Sequence, residues 1–157
     1  MRQTKSTTDN IVLLLATGTY LGNSRFAPGT LGTLWGVPLA YAINKAGLAT
    51  GGGILVVAII LSIILSSHAS ILIGKKDPGS VVADEIVGYC VAIFALPFTP
   101  VTVILAFILF RIFDILKPFP VSYLDKHIGG GLGIVLDDLA AGVMAAIVLN
   151  IIMRIIL

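Results

Sequence analysis

The twenty residues Ile54–Ile73 carry no charge, and a stretch of about that length is what a helix needs to cross the hydrocarbon of a bilayer. The rest of the chain suits the same solvent. Of 157 residues, 57% are hydrophobic and 11% charged, and the mean hydropathy is +1.06. A soluble domain carries about 25% charged residues. Ten basic and eight acidic side chains are too few to cover a water-facing surface of this size. The chain is therefore expected to be an integral membrane protein, all-α, a compact multi-helical bundle forming one domain over residues 1–157. Disorder is excluded. A net charge of +2 with no basic cluster among aromatics leaves no footprint for nucleic acid. One cysteine, Cys90, excludes an intramolecular disulfide and a multi-cysteine metal site.

Punctuation divides the chain into four to five membrane segments behind an N-terminal interfacial helix that contains Ile11–Ala16. A glycine- and proline-rich loop is expected from Gly22 to Gly32, then a short apolar segment over Leu34–Ala46. Gly51-Gly52-Gly53 reads as a turn before the long span. Lys75-Lys76-Asp77-Pro78-Gly79 ends that span, and Ser80 is placed to cap the next helix. Val81–Leu96 and Val101–Leu116, joined through Pro97 and Pro100, read as a helical hairpin whose arms reach roughly 24 Å each. A polar, glycine-rich loop from Lys117 to Leu136 precedes the last span, Leu139–Leu157. This folding puts Arg2, Lys5, Arg25, Lys75, Lys76, Arg111, Lys117 and Lys126 on one side and only Lys45 and Arg154 on the other. The basic side is expected to be cytoplasmic.

The same folding gathers the acids. Asp84 and Glu85 open one arm of the hairpin, Asp114 lies near the end of the other, and Asp137 and Asp138 open the last span. Carboxylates at the edge of a bilayer are expensive, so several at one depth call for a cation or strong donors. Oxygen-only donors select a hard ion such as Mg²⁺. Arg111, Asp114 and Lys117 recur on one helix face, where a guanidinium can grip a phosphate with two donors. The run Gly129-Gly130-Gly131-Leu132-Gly133 admits close backbone approach but lacks the lysine of a phosphate-binding loop. Asp77 and Asp125 fit equally well as helix caps. Lys75 and Lys76 read as topology anchors, His68 and Cys90 as packing residues, and His127 as a candidate general acid.

Three ordered motifs carry a family resemblance. Asp84-Glu85-x-x-Gly88, Phe110-Arg111-x-x-Asp114-x-x-Lys117-Pro118-x-Pro120 and Gly133-x-x-x-Asp137-Asp138-x-x-Ala141-Gly142 resemble bacterial phosphatidylglycerophosphatase A, as do Pro28-Gly29-Thr30-x-Gly32-Thr33 and Asp77-Pro78 upstream. The resemblance implies a Mg²⁺-dependent phosphatase that removes the terminal phosphate of phosphatidylglycerophosphate, giving phosphatidylglycerol at the inner membrane. It implies that Asp84, Glu85 and Asp138, with Asp114 and Asp137, hold metal and activate water, while Arg111, Lys117, Thr30 and Thr33 contact the phosphate. Asp84, Glu85 and Asp138 are the expected catalytic set. A small transporter with an acidic coupling site is the alternative from another class; it would spread its acids through the bilayer and show repeats, and neither pattern is present.

Overall fold

Ser6 and Asp9 form a reciprocal cap that starts α1, Thr7–Ala16. The Asp9 carboxylate accepts from the Ser6 N–H at 2.9 Å, and the Ser6 hydroxyl accepts from the Thr8 N–H at 3.4 Å. Six further helices come after it in this computed structural model, which describes residues 6–156: α2 Pro28–Lys45, α3 Leu48–Ile73, α4 Ala83–Ile93, α5 Pro100–Leu116, α6 Val121–His127 and α7 Gly130–Ile156. One 3-10 turn, Leu21–Asn23, joins α1 to α2, and the described residues contain no strand. The all-helical expectation holds. Arg2 and Lys5, part of the charge asymmetry, lie outside the described residues.

Several boundaries differ from expectation, each for a local reason. The loop expected to run to Gly32 stops at Ala27, because Pro28 has the fixed φ of a first helical residue and α2 begins on it. Gly51-Gly52-Gly53 is no turn but lies inside α3. A side chain at Gly51 would collide with the Ile43 carbonyl, so this glycine serves the close approach of α2 and α3. The chain turns instead at Gly47, whose φ is +81°. Ser80 does not cap α4. Val82 stands there without a side-chain cap, and its N–H donates to the Ala16 carbonyl at 2.9 Å, tying α4 to the end of α1. α4 stops at Ile93 because Ala95 takes a left-handed conformation and Pro97 comes soon after. Thr99 caps α5 through the Thr102 N–H at 3.2 Å. The expected polar loop after Lys117 contains α6, and α7 starts at Gly130, so Asp137 and Asp138 sit two turns inside the last helix.

α3 and α7 are long and apolar enough to cross a membrane. α2, α5 and α4 are shorter, at 18, 17 and 11 residues, and of these only α4 falls well below the roughly 17–25 residues that a crossing takes. α4 is nevertheless the centre of the bundle, with eight of its eleven residues buried. α2, α3, α5 and α7 pack around it, with Tyr89, Phe110 and Leu149 fully enclosed. Its tightest contact is with α7. A side chain at Gly142 would strike the Gly88 carbonyl, and one at Gly88 would lie 2.7 Å from the Phe110 ring and 2.9 Å from the Asp138 carbonyl. Bare backbone therefore sets the spacing of α4, α5 and α7.

Gly88→Val is expected to lower stability by about 1–3 kcal/mol through overpacking. Gly53→Ala has open space around it and lies inside a helix, so it is expected to raise stability by about 0.5–1 kcal/mol. Thermal unfolding in detergent reads both; equal shifts would show that the Gly88 contact does not hold the bundle.

Candidate functional site

One end of the bundle collects the starts of α2 and α4, the end of α5 and the third turn of α7. Asp84 and Glu85 stand in the first turn of α4, where the positive end of the helix dipole favours acids. Asp138 faces them from α7. Asp84 and Asp138 are buried and Glu85 is half-buried, and each offers one carboxylate oxygen within 4.8 Å of the other two. Among the described residues, one oxygen of each has no hydrogen-bond partner: Asp84 Oδ1, Glu85 Oε2 and Asp138 Oδ2. The acids expected to converge do so, from two helices in direct contact.

α5 brings the basic element. Arg111 Nη1 donates to Asp114 Oδ2 at 2.5 Å, one turn along the same helix, while the buried Arg111 Nε has no partner. Gly29, in the first turn of α2, lies against both charged groups. A side chain there would come within 2.5 Å of Glu85 Oε1 and 3.0–3.1 Å of the guanidinium nitrogens. Gly29 is a structural member of the site that the sequence reading passed over; the motif Pro28-Gly29-Thr30 was the signal. Thr30, next along α2, borders a cleft with Arg111. Thr33 is fully buried and its hydroxyl donates to the Gly29 carbonyl at 2.9 Å, which supports the backbone beneath Arg111.

Lys117 stands just past the last residue of α5 and bridges two acids, 2.8 Å from Asp125 Oδ1 and 2.7 Å from Asp137 Oδ2. Partial burial works against its ammonium, but these two hydrogen bonds outweigh it and hold its pKa above the usual lysine value. Asp125 is thus an ion-pair partner in α6 and not a cap. Asp137 is buried and keeps a second oxygen, Oδ1, unpartnered. His127 is exposed, stacked on Tyr123, with Nδ1 2.8 Å from the Tyr123 carbonyl. His68 is exposed on α3, which corrects its reading as a packing residue. Cys90 is buried, its thiol 3.7 Å from the Gly36 carbonyl, as a packing residue should be. In the glycine run, Gly131 abuts Ile63 and Ser67 of α3, and Gly133 abuts Ile128. Those two glycines seat α7 on its neighbours.

The buried donors fit a metal ion. Three carboxylates that cannot all stay charged without a counter-charge present unpartnered oxygens to one point, and the set contains oxygen only. Asp137 and Asp114 border it, each already held by a lysine or an arginine.

Known proteins resemble this chain over most of its length. Residues 14–153 match the family described as phosphatidylglycerophosphatase A. Phosphatidylglycerophosphatase A of Escherichia coli is 34% identical over 134 residues, covering 85% of this chain and 78% of that one. Its Haemophilus influenzae counterpart is 38% identical over 141 residues, covering 88% and 86%. A Bacteroides thetaiotaomicron protein, provisionally named a phosphatidylinositol-3-phosphatase, is 36% identical over 145 residues, covering 87% and 90%. No solved structure matches the chain. On sequence match and extent alike, the chain belongs to the phosphatidylglycerophosphatase A family.

Proposed function

We propose that this protein is a Mg²⁺-dependent phosphatase that hydrolyses phosphatidylglycerophosphate to phosphatidylglycerol and inorganic phosphate, a step of phospholipid biosynthesis. The observation that carries the reading is the cluster of Asp84, Glu85 and Asp138, with unpartnered buried oxygens, packed through Gly29 against the guanidinium of Arg111. Acids without a basic partner would suit ion binding alone. Acids beside a fork of donors suit an anion whose charge must be offset on two sides. The matched family and the names of the Escherichia coli and Haemophilus influenzae relatives supply the headgroup. The transporter reading fits less well, because the acids crowd one end of the bundle.

In this reading Asp84, Glu85 and Asp138 hold Mg²⁺, with Asp114 and Asp137 as outer members of the set. The ion supplies Lewis acidity and offsets charge on the phosphoryl oxygens when bound. Arg111, held by Asp114, grips the phosphate through Nε and its free terminal donors, with the Thr30 hydroxyl and Lys117 at the rim. Thr33 acts through Gly29 by holding its carbonyl. A carboxylate of the cluster takes the proton of the attacking water. The water oxygen bonds to phosphorus, the ester P–O bond breaks, and the departing glycerol oxygen takes the proton that the carboxylate received from the water.

The single domain, residues 1–157, sits in the cytoplasmic (inner) membrane of a bacterium with α1 at the interface and four to five segments in the bilayer. Its site faces the cytoplasm. Lys75 and Lys76 support that orientation: they line clefts with Ser24 and Asp125, near the same end as the acids.

Purified protein in detergent is expected to release phosphate from phosphatidylglycerophosphate with Mg²⁺ and not with EDTA. Glu85→Gln and Asp138→Asn should each lose at least about a hundredfold in kcat while remaining folded. Full activity in either variant would remove that residue from the metal set, and faster turnover of phosphatidylinositol 3-phosphate would move the headgroup assignment to the other relative's. Gly29→Ala pushes on Glu85 and Arg111 together, and a displacement of about 1 Å costs on the order of a hundredfold. Its kcat should fall by at least tenfold with little change in the unfolding midpoint; a drop in stability alone would make Gly29 a packing residue only. Lys117→Met strands the buried Asp137 carboxylate and is expected to destabilise by about 1–3 kcal/mol. Adding Asp137→Asn should recover part of that loss, and strict additivity in the double-mutant cycle would show that the pair does not interact.

A further inference from the structure

α2 and α5 touch only sparsely, and between them a cleft of about 400 Å³ opens outward from the bundle. Its walls are nearly all apolar: Phe107, Ile108, Ile112, Ile115 and Leu116 of α5. Ile108, Ile112, Ile115 and Leu116 repeat at helical spacing along one stripe and are all exposed. Two polar residues interrupt this surface, Thr30 and Arg111. Arg111 is the link inward, because its guanidinium lies on Gly29, whose other neighbour is the Glu85 carboxylate. Arg111 thus borders the cleft on one side and the edge of the acid cluster on the other. A second cleft of about 350 Å³, bounded by Ala40, Ile43 and Phe94, lies towards the other end of α4 and is lined by no charged residue.

Resting on the function proposed above, we propose that the α2–α5 cleft is the lateral port of the site, holding the first part of an acyl chain and the glycerol of a lipid phosphomonoester while Arg111 holds its phosphate. Charge complementarity names the occupant. An anion is wanted at Arg111, where a buried Nε has no partner, and hydrocarbon is wanted on either side of it along the stripe. A lipid phosphomonoester carries both in one molecule. A phosphate drawn to the acids by any watery route would drag methylenes out of the bilayer, each at a free-energy cost. A slot open to lipid avoids that. Ile108, deeper along α5 than Arg111, contacts the chain; Ile115 and Leu116, towards the helix end, cover the glycerol.

The port makes acyl-chain length a determinant of KM, since contacts made equally in ground and transition states alter binding and not turnover. Ile108→Trp narrows the slot, and Ile60→Trp on the exposed face of α3 serves as control. With dioleoyl phosphatidylglycerophosphate in mixed micelles, Ile108→Trp should raise KM at least tenfold and leave kcat within twofold. With the dibutyroyl substrate it should change KM less than threefold, and Ile60→Trp should change neither. A second readout needs no variant: a dioleoyl phosphatidylglycerophosphate carrying a photoreactive group near the glycerol end of one chain should label the wild-type protein on residues 107–112 in preference to α3. Labelling spread evenly over α3 and α5 would overturn the port, as would an unchanged KM for the dioleoyl substrate in Ile108→Trp or equal losses on both substrates. Failure of the wild-type protein to hydrolyse either lipid would instead overturn the function on which the port rests.

Discussion

The contact on which the structure depends is the meeting of α4 and α7 at Gly88 and Gly142, backbone against backbone. Lipid chains are as apolar as leucine, so helices in a bilayer are not driven together by hydrophobicity and must gain from close packing. Here that packing is also what builds the site. Gly88 lies one turn past Asp84 and Glu85, and Gly142 lies one turn past Asp138, on the same helix faces. The distance allowed by two missing side chains therefore becomes the distance between carboxylates. Phe110 packs on Gly88 from α5, and the next residue is Arg111. One three-helix contact fixes both halves of the site.

The acids fall into two kinds by what holds them. Asp114 and Asp137 have partners from the chain itself, Arg111 and Lys117. Asp84, Glu85 and Asp138 have no ion pair among the described residues, and each keeps a buried oxygen without a hydrogen bond. A fold selected for stability alone would not keep three such groups together, since each unpaired buried charge is destabilising. An ion that binds only the folded chain returns part of that loss by mass action. The paired acids do a different job. Asp114 holds the guanidinium beside the start of α2, and the Lys117 bridge joins the short α6 to α7.

The identity of the acids, their gathering at one end and the antiparallel α4–α5 pair were legible from sequence, because charge in an apolar chain stands out and chain reversal is dictated by proline and length. Glycine was not. Gly51–Gly53 read as a turn and Gly129–Gly133 as a ligand loop, yet both fall in or beside helices, and Gly51 and Gly131 admit a neighbouring helix. A glycine that bends the chain and a glycine that admits a neighbour look alike until the neighbour is known. Lys117 shows a related limit: its spacing from Arg111 and Asp114 is local information, whereas its ion-pair partners Asp125 and Asp137 reach it from α6 and α7. The length of α4 was overread because apolar residues continue past Ile93, where Ala95 and Pro97 turn the backbone.

Arg111 has a stricter role than a generic positive charge at this position would have. It lies in the middle of an apolar stripe, one face against the bare backbone of Gly29, one terminal nitrogen committed to Asp114. A flat, weakly hydrated guanidinium tolerates that setting; a lysine ammonium, compact and strongly hydrated, does not. The fork also keeps donors in reserve once Asp114 has fixed its orientation, and Nε is the one that remains buried and unpartnered. On the proposed reading, this lets one helix face serve both ends of an amphiphile. Hydrocarbon stays in contact with isoleucines that already face lipid, and only the phosphate is asked to leave the interface, across the short path that Gly29 keeps open.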